Sequence, residues 1–422
     1  MSKMQYMGLW RRHGKAIQLF LGVLIALLIV CSSKSQAQSD AGFMYGKVYT
    51  VSNTYQGQIR WGKEEAFWND LFNGVKLYTN NYGDIPKKEN KNTSWYDFDW
   101  RLSSIWEDKR SSVSHQFVCR FGDIKTIEIT GPSRINLILK NGVKLEVGGE
   151  GYNDLGTDVQ VLDKELGAIT IAWNRILKIE FEPTPDKLSL AMGNPLYGTV
   201  ETVRKGNFTG FVQWDHDERL SVDKLDGDAR DGKVSVSFSV IKQIEKSGNG
   251  SNVVLKSGTS YFLTNSNDVN SGNRGVIVSI EGTGKIEIPW KAFKRVDFSE
   301  ARNSGLPYES YVIPQGLSGT VHLYEGASIS GKIIYDIDES WDVEMLEGMD
   351  DEIQYHIPFR NIRKVTPKNY DYSLVELKNG TSLLLGGMRD VSDENDGVLV
   401  LKHGENDQEF VQWKNITEIV FE

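Results

Sequence analysis

Three pairs of adjacent acids, Glu64/Glu65, Asp217/Glu218 and Asp338/Glu339, stand seven and eight residues after Gly57, Gly210 and Gly331. A third acid follows thirteen residues after each glycine: Asp70, Asp223 and Glu344. Carboxylates held together could bind Ca²⁺, which takes about six to eight oxygens, or could divide into an acid and a base. The plainer account is a solvated hairpin loop whose charges guard a sheet edge against pairing. Recurrence at three places on one scaffold favours that account, so no metal and no cofactor is assigned.

Other polar groups give no stronger chemistry. Asp226-Gly227-Asp228-Ala229-Arg230-Asp231-Gly232 has the outline of a calcium loop, but Arg230 occupies its third ligand position and breaks it. Asn153-Asp154-Leu155, Asn267-Asp268-Val269 and Arg389-Asp390-Val391 recur, and an Asp bonding the backbone two residues on explains them as turns. His216 lies among Asp215, Asp217 and Glu218, yet the matching positions hold Lys63 and Ile337, which is no basis for a zinc set. Cys119 aligns with Val236 and Ile357 and reads as an inert, inward thiol. With no recurring histidine, a Ser-His-Asp mechanism has nothing to build on.

One stretch is aromatic and not repeated. From Gly74 to Phe121 is 47 residues, whereas Gly227 to Phe238 and Gly348 to Phe359 are 11 each, so 36 residues are inserted. Tyr96, Phe98 and Trp100 alternate with Asp97 and Asp99 in strand spacing, and Trp106 follows. Such a face could hold a sugar ring or a partner protein, or it could pack back onto the body to anchor the excursion.

The frame that positions these residues is a self-alignment. Gly57-Gln58-Ile59-Arg60-Trp61, Gly210-Phe211-Val212-Gln213-Trp214 and Gly331-Lys332-Ile333-Ile334-Tyr335 share G-x-[IV]-x-[WY]. Gly74, Gly227 and Gly348 follow seventeen residues on. Phe121, Phe238 and Phe359 are each followed by aliphatics at +3 and +6, and Trp173/Phe181, Trp290/Phe298 and Trp413/Phe421 close each copy. Period-2 alternation and Lys-Asn-Gly or Lys-Ser-Gly turns read as short antiparallel strands. Five of the ten prolines, Pro183, Pro185, Pro195, Pro307 and Pro314, fall between copies.

The pattern Val375-Glu376-Leu377-Lys378-Asn379-Gly380, with Trp413-Lys414-Asn415-Ile416 leading into a closing strand, resembles SH3-like and Sm-like small barrels. The resemblance covers every half-copy and implies a fold, not an activity. The expected architecture is therefore all-β: three tandem repeats, each of two SH3-like/Sm-like barrel halves. The boundaries are 1–37 for a signal peptide, 38–183 for repeat 1 with its insertion, 184–304 for repeat 2 and 305–422 for repeat 3.

Lys3, Arg11, Arg12 and Lys15, then an apolar run from Ile17 to Val30, then Ser35-Gln36-Ala37, follow the order of a secretory signal. Its removal takes five Lys/Arg and no Asp/Glu, so the formal charge of −9 becomes −14. An acidic exported chain argues against nucleic-acid binding, and membrane contact is expected only through the N-terminal segment if it is not cleaved. The expected function is a non-enzymatic scaffold or interaction module of the cell envelope, periplasmic or cell-surface, whose partner is a protein or a glycan. The candidate binding residues are Tyr96, Phe98, Trp100 and Trp106. The rival is a glycan-binding protein or glycan-acting hydrolase using the same aromatics with Asp97, Asp99 or Glu107.

Overall fold

The computed structural model describes residues 39–77, 116–402 and 407–422. Its regular elements are antiparallel strands joined by tight turns and single 3₁₀ turns. The aromatic insertion residues and the N-terminal signal lie outside the described residues.

The strands fall into three runs of ten. The first comprises β1 (Tyr45–Thr50), β2 (Thr54–Trp61), β3 (Leu71–Lys76), β4 (Gln116–Arg120), β5 (Ile124–Gly131), β6 (Arg134–Leu139), β7 (Lys144–Gly148), β8 (Val159–Asp163), β9 (Gly167–Ile171) and β10 (Ile176–Phe181). Next come β11 (Tyr197–Thr202), β12 (Asn207–Trp214), β13 (Lys224–Ala229), β14 (Gly232–Ser237), β15 (Ile241–Ser247), β16 (Gly250–Leu255), β17 (Ser260–Leu263), β18 (Val276–Ile280), β19 (Gly284–Ile288) and β20 (Phe293–Phe298). The last are β21 (Ser318–Leu323), β22 (Ser328–Ile334), β23 (Met345–Asp350), β24 (Ile353–Pro358), β25 (Ile362–Pro367), β26 (Tyr372–Leu377), β27 (Ser382–Gly386), β28 (Val398–Leu401), β29 (Gln408–Val411) and β30 (Ile416–Phe421).

In the first segment the spatial order is β4-β3-β7-β6-β5-β10-β1-β2-β8-β9. Pairing in the third runs β24-β23-β27-β26-β25-β30-β21-β22-β28-β29. The second follows β17-β16-β15-β20-β11-β12-β18-β19, with β13 and β14 attached by the single bridge Asp228↔Thr264. Segments two and three are joined edge to edge where β19 pairs with β24.

The expectation of two barrel halves per segment is corrected here: no barrel closes among the described strands. The closing strand of each segment enters between the first strand and the fifth, as β10 does between β1 and β5. It thereby takes up the edges that two separate halves would have needed to close on themselves.

The +3 and +6 spacing after each phenylalanine has a local cause. Phe121, Phe238 and Phe359 each begin a 3₁₀ turn, and Ile124, Ile241 and Ile362 end it. A strand would then repeat every two residues, but a register shift follows each isoleucine and inserts one more. Ile127, Ile244 and Val365 therefore face inward, and all six aliphatics are fully buried. One core spans segments two and three, and a second fills segment one with Tyr308 and Tyr311 of the 299–317 linker packed into it.

The first glycine of each G-x-[IV]-x-[WY] run is required by strand proximity. A Cβ on Gly57, Gly210 or Gly331 would collide with the carbonyl oxygen of Leu162, Ser279 or Leu401 on the facing strand. Gly210→Ala is expected to cost about 1 to 3 kcal/mol by forcing the backbones apart. Gly131→Ala, whose new methyl would lie 3.6 Å from Arg134 Cβ, should be close to neutral. Urea unfolding of the two variants beside the parent checks this.

Candidate functional site

The acidic loops begin at a buried aromatic. Trp61, Trp214 and Tyr335 are wholly buried. After each the chain turns through left-handed backbone, at Gly62 (φ 57°), at Asp215 and His216 (φ 47° and 62°), and at Asp336 and Ile337 (φ 47° and 59°). His216 is thus a turn residue. The turn returns Glu65, Glu218 and Glu339 to pair with the aromatic's own backbone. Each ring's polar atom donates to a carbonyl in the second half of its segment: Trp61 Nε1 to Asp154 at 2.8 Å, Trp214 Nε1 to Asp268 at 2.9 Å, and the Tyr335 hydroxyl to Asp390 at 2.6 Å. The carboxylate of that same aspartate accepts the backbone N–H of Asn73, Asp226 or Glu347. The recurring Asp therefore ties the loop of one half to a strand of the other.

This brings the second acid of each pair close to that Asp. Burial first, then Asp154, pushes the Glu65 carboxyl well up. Burial and then Asp268 push Glu218 up to about 9, and burial with Asp390 pushes Glu339 well up. Asp154 itself is raised by burial to about 6. These carboxyls are held towards the neutral form, the reverse of what a calcium ligand needs. Among the described residues no three His, Cys, Asp or Glu side chains are grouped to hold a metal ion.

The first acids of the pairs lie apart from these, at the seams. Arg274 approaches both Glu64 (4.0 Å) and Asp217 (2.7 Å), so segments one and two meet there. Asp338 accepts from Lys76 of segment one at 3.0 Å.

The acid at +13 has two roles at once. One oxygen caps its own loop: Asp70 Oδ2 accepts from Ala66 and Phe67, Asp223 Oδ2 from Arg219 and Leu220, and Glu344 Oε2 from Ser340 and Trp341. Each carboxylate also holds a cation from a different segment. Asp70 takes Arg219 at 3.2 Å, Asp223 takes Arg60 bidentately at 2.8 and 3.0 Å, and Glu344 takes Lys76. Burial pushes Asp70 up, but Arg219, Lys285 and the two N–H donors outweigh it and hold it below the usual range.

Cys119 is buried in segment one's core, and burial pushes its thiol well up. Tyr96, Phe98, Trp100 and Trp106, with Asp97, Asp99 and Glu107, lie outside the described residues.

The sequence pattern passed over a cavity of about 340 Å³ where the three segments and the linker meet. Lys285, His356, Arg120 and Arg360 line it. Measured from the closing Trp and from the Phe, Lys285 aligns with Ala168 and Gln408, His356 with Val118 and Ser235, and Arg360 with Gly122 and Ser239. A search for recurring polar residues cannot find charges that occur once. His356 accepts no neutral role here: its ring nitrogens meet Glu347 at 3.0 Å and Glu287 at 3.1 Å. Burial pushes the imidazole down, yet the two carboxylates outweigh it and hold it at about 9, so it is a cation at neutral pH.

Comparison with protein-family models, curated proteins and solved structures finds no match. The reading of function rests on geometry.

Glu218 supplies a pH test. Its carboxyl sits at about 9 in the folded chain against an ordinary value of 4.5, so the folded state holds the proton more tightly. Stability is then expected to fall as pH rises from about 4.5 towards 9, because the unfolded chain ionises first. Glu218→Gln should leave the thermal midpoint unchanged at pH 4 and raise it at pH 8, and scanning calorimetry at the two pH values checks the difference.

Proposed function

We propose that the chain is an exported, non-enzymatic scaffold or interaction module of the cell envelope, built from three copies of one unit, with the insertion of the first copy as its recognition element. The observation that carries this reading is a hairpin stem. β3 and β4 stay paired from Leu71↔Arg120 to Val75↔Gln116, and the chain between them is the insertion. The hairpins β13–β14 and β23–β24 close with two residues each, Arg230-Asp231 and Asp351-Glu352. A stem that closes with two residues has no structural need of the additional 36. Ordering them costs roughly 1 to 2 kcal/mol of backbone entropy per residue, which recognition would offset.

The scaffold part of the reading is supported by where the recurring polar residues are spent. The Asp of each second half and the acid at +13 are consumed by hydrogen bonds and ion pairs inside the body. Tyr96, Phe98 and Trp100 in alternate positions favour a flat partner surface or a sugar ring over a catalytic pair.

The test replaces residues 78–113 with Asn-Gly and compares the two proteins in unfolding and in pull-down from the native envelope. The shortened chain is expected to keep its cooperative transition and lose the partner, and Trp100→Ala alone to weaken capture severalfold. Early unfolding of the shortened chain would make the aromatics part of the core. Release of reducing ends from envelope polysaccharide by the parent would replace the reading with a hydrolase.

A further inference from the structure

Two cations in the cavity between the segments are incompletely paired among the described residues. Lys285 is 7% exposed and makes no hydrogen bond among the described residues. Its ammonium forms an ion pair with Asp70 Oδ1 at 3.6 Å, an oxygen that Arg219 Nε also holds at 3.2 Å. Arg360 is fixed by Asp123 at 3.1 Å and Asp342 at 3.2 Å through its two terminal nitrogens, while its Nε is buried with no partner. Both residues line the cavity.

The register adds a conflict. Lys285 on β19 pairs directly with His356 on β24, so the two side chains share one face of the joint between segments two and three. Like charges directly opposite destabilise a sheet. Glu287 and Glu347 hold His356. Arg120 is engaged by Asp123 and lies over the Tyr311 ring. Glu281 is the one carboxylate in the cavity wall. Asp70 and Asp123 belong to the layer behind it and are wholly buried.

A buried ammonium and a buried guanidinium N–H cost several kcal/mol when left without acceptors. The wall also carries an apolar side of Leu71, Phe211, Ile280, Tyr311 and Met345, beside the neutral polar side chains Asn69, Ser279, Asn303, Ser310 and Asn361. Leu306 and Val312 of the linker are exposed at 37% and 60%, so the cavity opens to solvent on that side. A volume of about 340 Å³ lies at the small end of ligand pockets.

We propose that this cavity binds a small organic oxyanion, a carboxylate or phosphate carrying an apolar group, with Lys285 Nζ and the Arg360 guanidinium as the donors to the charged head. The apolar group lies against the Phe211, Ile280 and Met345 wall. This site is independent of whatever the insertion captures, and it joins three segments around one ligand.

The experiment is calorimetric titration of the full chain with benzoate, phenyl phosphate and inorganic phosphate, alongside thermal unfolding without ligand. Benzoate or phenyl phosphate is expected to bind saturably, one per chain, and more tightly than phosphate alone. Lys285→Met should lose tenfold or more in affinity, as loss of a charged hydrogen bond does. It should lower the ligand-free midpoint by less than Arg219→Met does, because Arg219 already holds Asp70 at 3.2 Å and Lys285 lies farther off at 3.6 Å. Leu306→Trp, which fills the mouth and leaves both donors in place, should also abolish binding. Absence of saturable binding in the parent would overturn the proposal, as would equal binding by Lys285→Met. A fall in the ligand-free midpoint of Lys285→Met matching that of Arg219→Met would overturn it too, since Lys285 would then serve Asp70. Should Lys285→Met fail to fold, undiminished binding by Leu306→Trp would have the same effect. Phosphate binding as tightly as phenyl phosphate would remove the apolar half.

Discussion

The polar atoms of three wholly buried aromatic rings, Trp61, Trp214 and Tyr335, each find an acceptor across their segment, and much of this structure follows from that bond. Trp61, Trp214 and Tyr335 have no exposed surface, so each indole N–H or hydroxyl would cost about 1 to 3 kcal/mol if left unpaired. The acceptor in every case is the carbonyl of an aspartate from the other half of the segment. That aspartate is fixed in turn by its carboxylate, which accepts from the strand beside the ring. Two halves are thus locked by one residue used twice. The alternation of Trp and Tyr at this position has the same cause, since an indole N–H and a phenolic O–H reach the same acceptor.

The cost of this lock is borne by the neighbouring glutamate. Glu65, Glu218 and Glu339 are returned to the aromatic's backbone by the left-handed turn and arrive beside the locking aspartate, Glu65 and Glu339 buried and Glu218 half-buried. Two carboxyls in one dry place cannot both ionise cheaply. The acid pairs that look, in the sequence, like a repeated charge cluster are therefore divided: the first member is solvated or ion-paired at a seam, and the second is at least half-buried and pushed towards its neutral form.

All-β structure was legible because alternation and turn glycines are local. Phe121, Ile124 and Ile127 even carry the signature of a turn followed by a bulge in their spacing of three. Closed half-barrels were expected because each half reads as a complete set of short strands, and no local pattern announces that β10 will pair with both β1 and β5. The acid at +13 was half legible in the same sense. Its capping of its own loop depends on residues three and four positions away, which recur. The cation it holds comes from another segment and differs each time, Arg219 for Asp70, Arg60 for Asp223 and Lys76 for Glu344. Removing one partner of such a buried pair costs about 3 to 5 kcal/mol, so these unrepeated cations determine how the segments are set against one another. His356 and Arg360 belong to the same class.

The first-half hairpin is held by the locking aspartate yet shares few ladder pairs with the rest of its sheet. It joins the rest of its sheet through two residue pairs in segment one, Val75↔Gly148 and Lys76↔Val147, and through one in segment three, Met349↔Gly386. In segment two its only strand pairing outside the hairpin, among the described residues, is the bridge Asp228↔Thr264. A hairpin attached so narrowly can change its outer edge and its tip without disturbing the core behind it. The three segments use that freedom differently. β24 offers its outer edge to β19 and makes the joint between segments two and three. Among the described residues β14 pairs only with β13, and its tip closes in two residues. In segment one the tip opens into the insertion, while the stem is pinned to segment three by Lys76 and by the contact of Leu71 and Val118 with Met345. The stem is therefore fixed to segment three at both ends, by the buried charge of Lys76 at the last residue of β3 and by Leu71 at its first, so a longer connection beyond Lys76 leaves the packing of the stem in place.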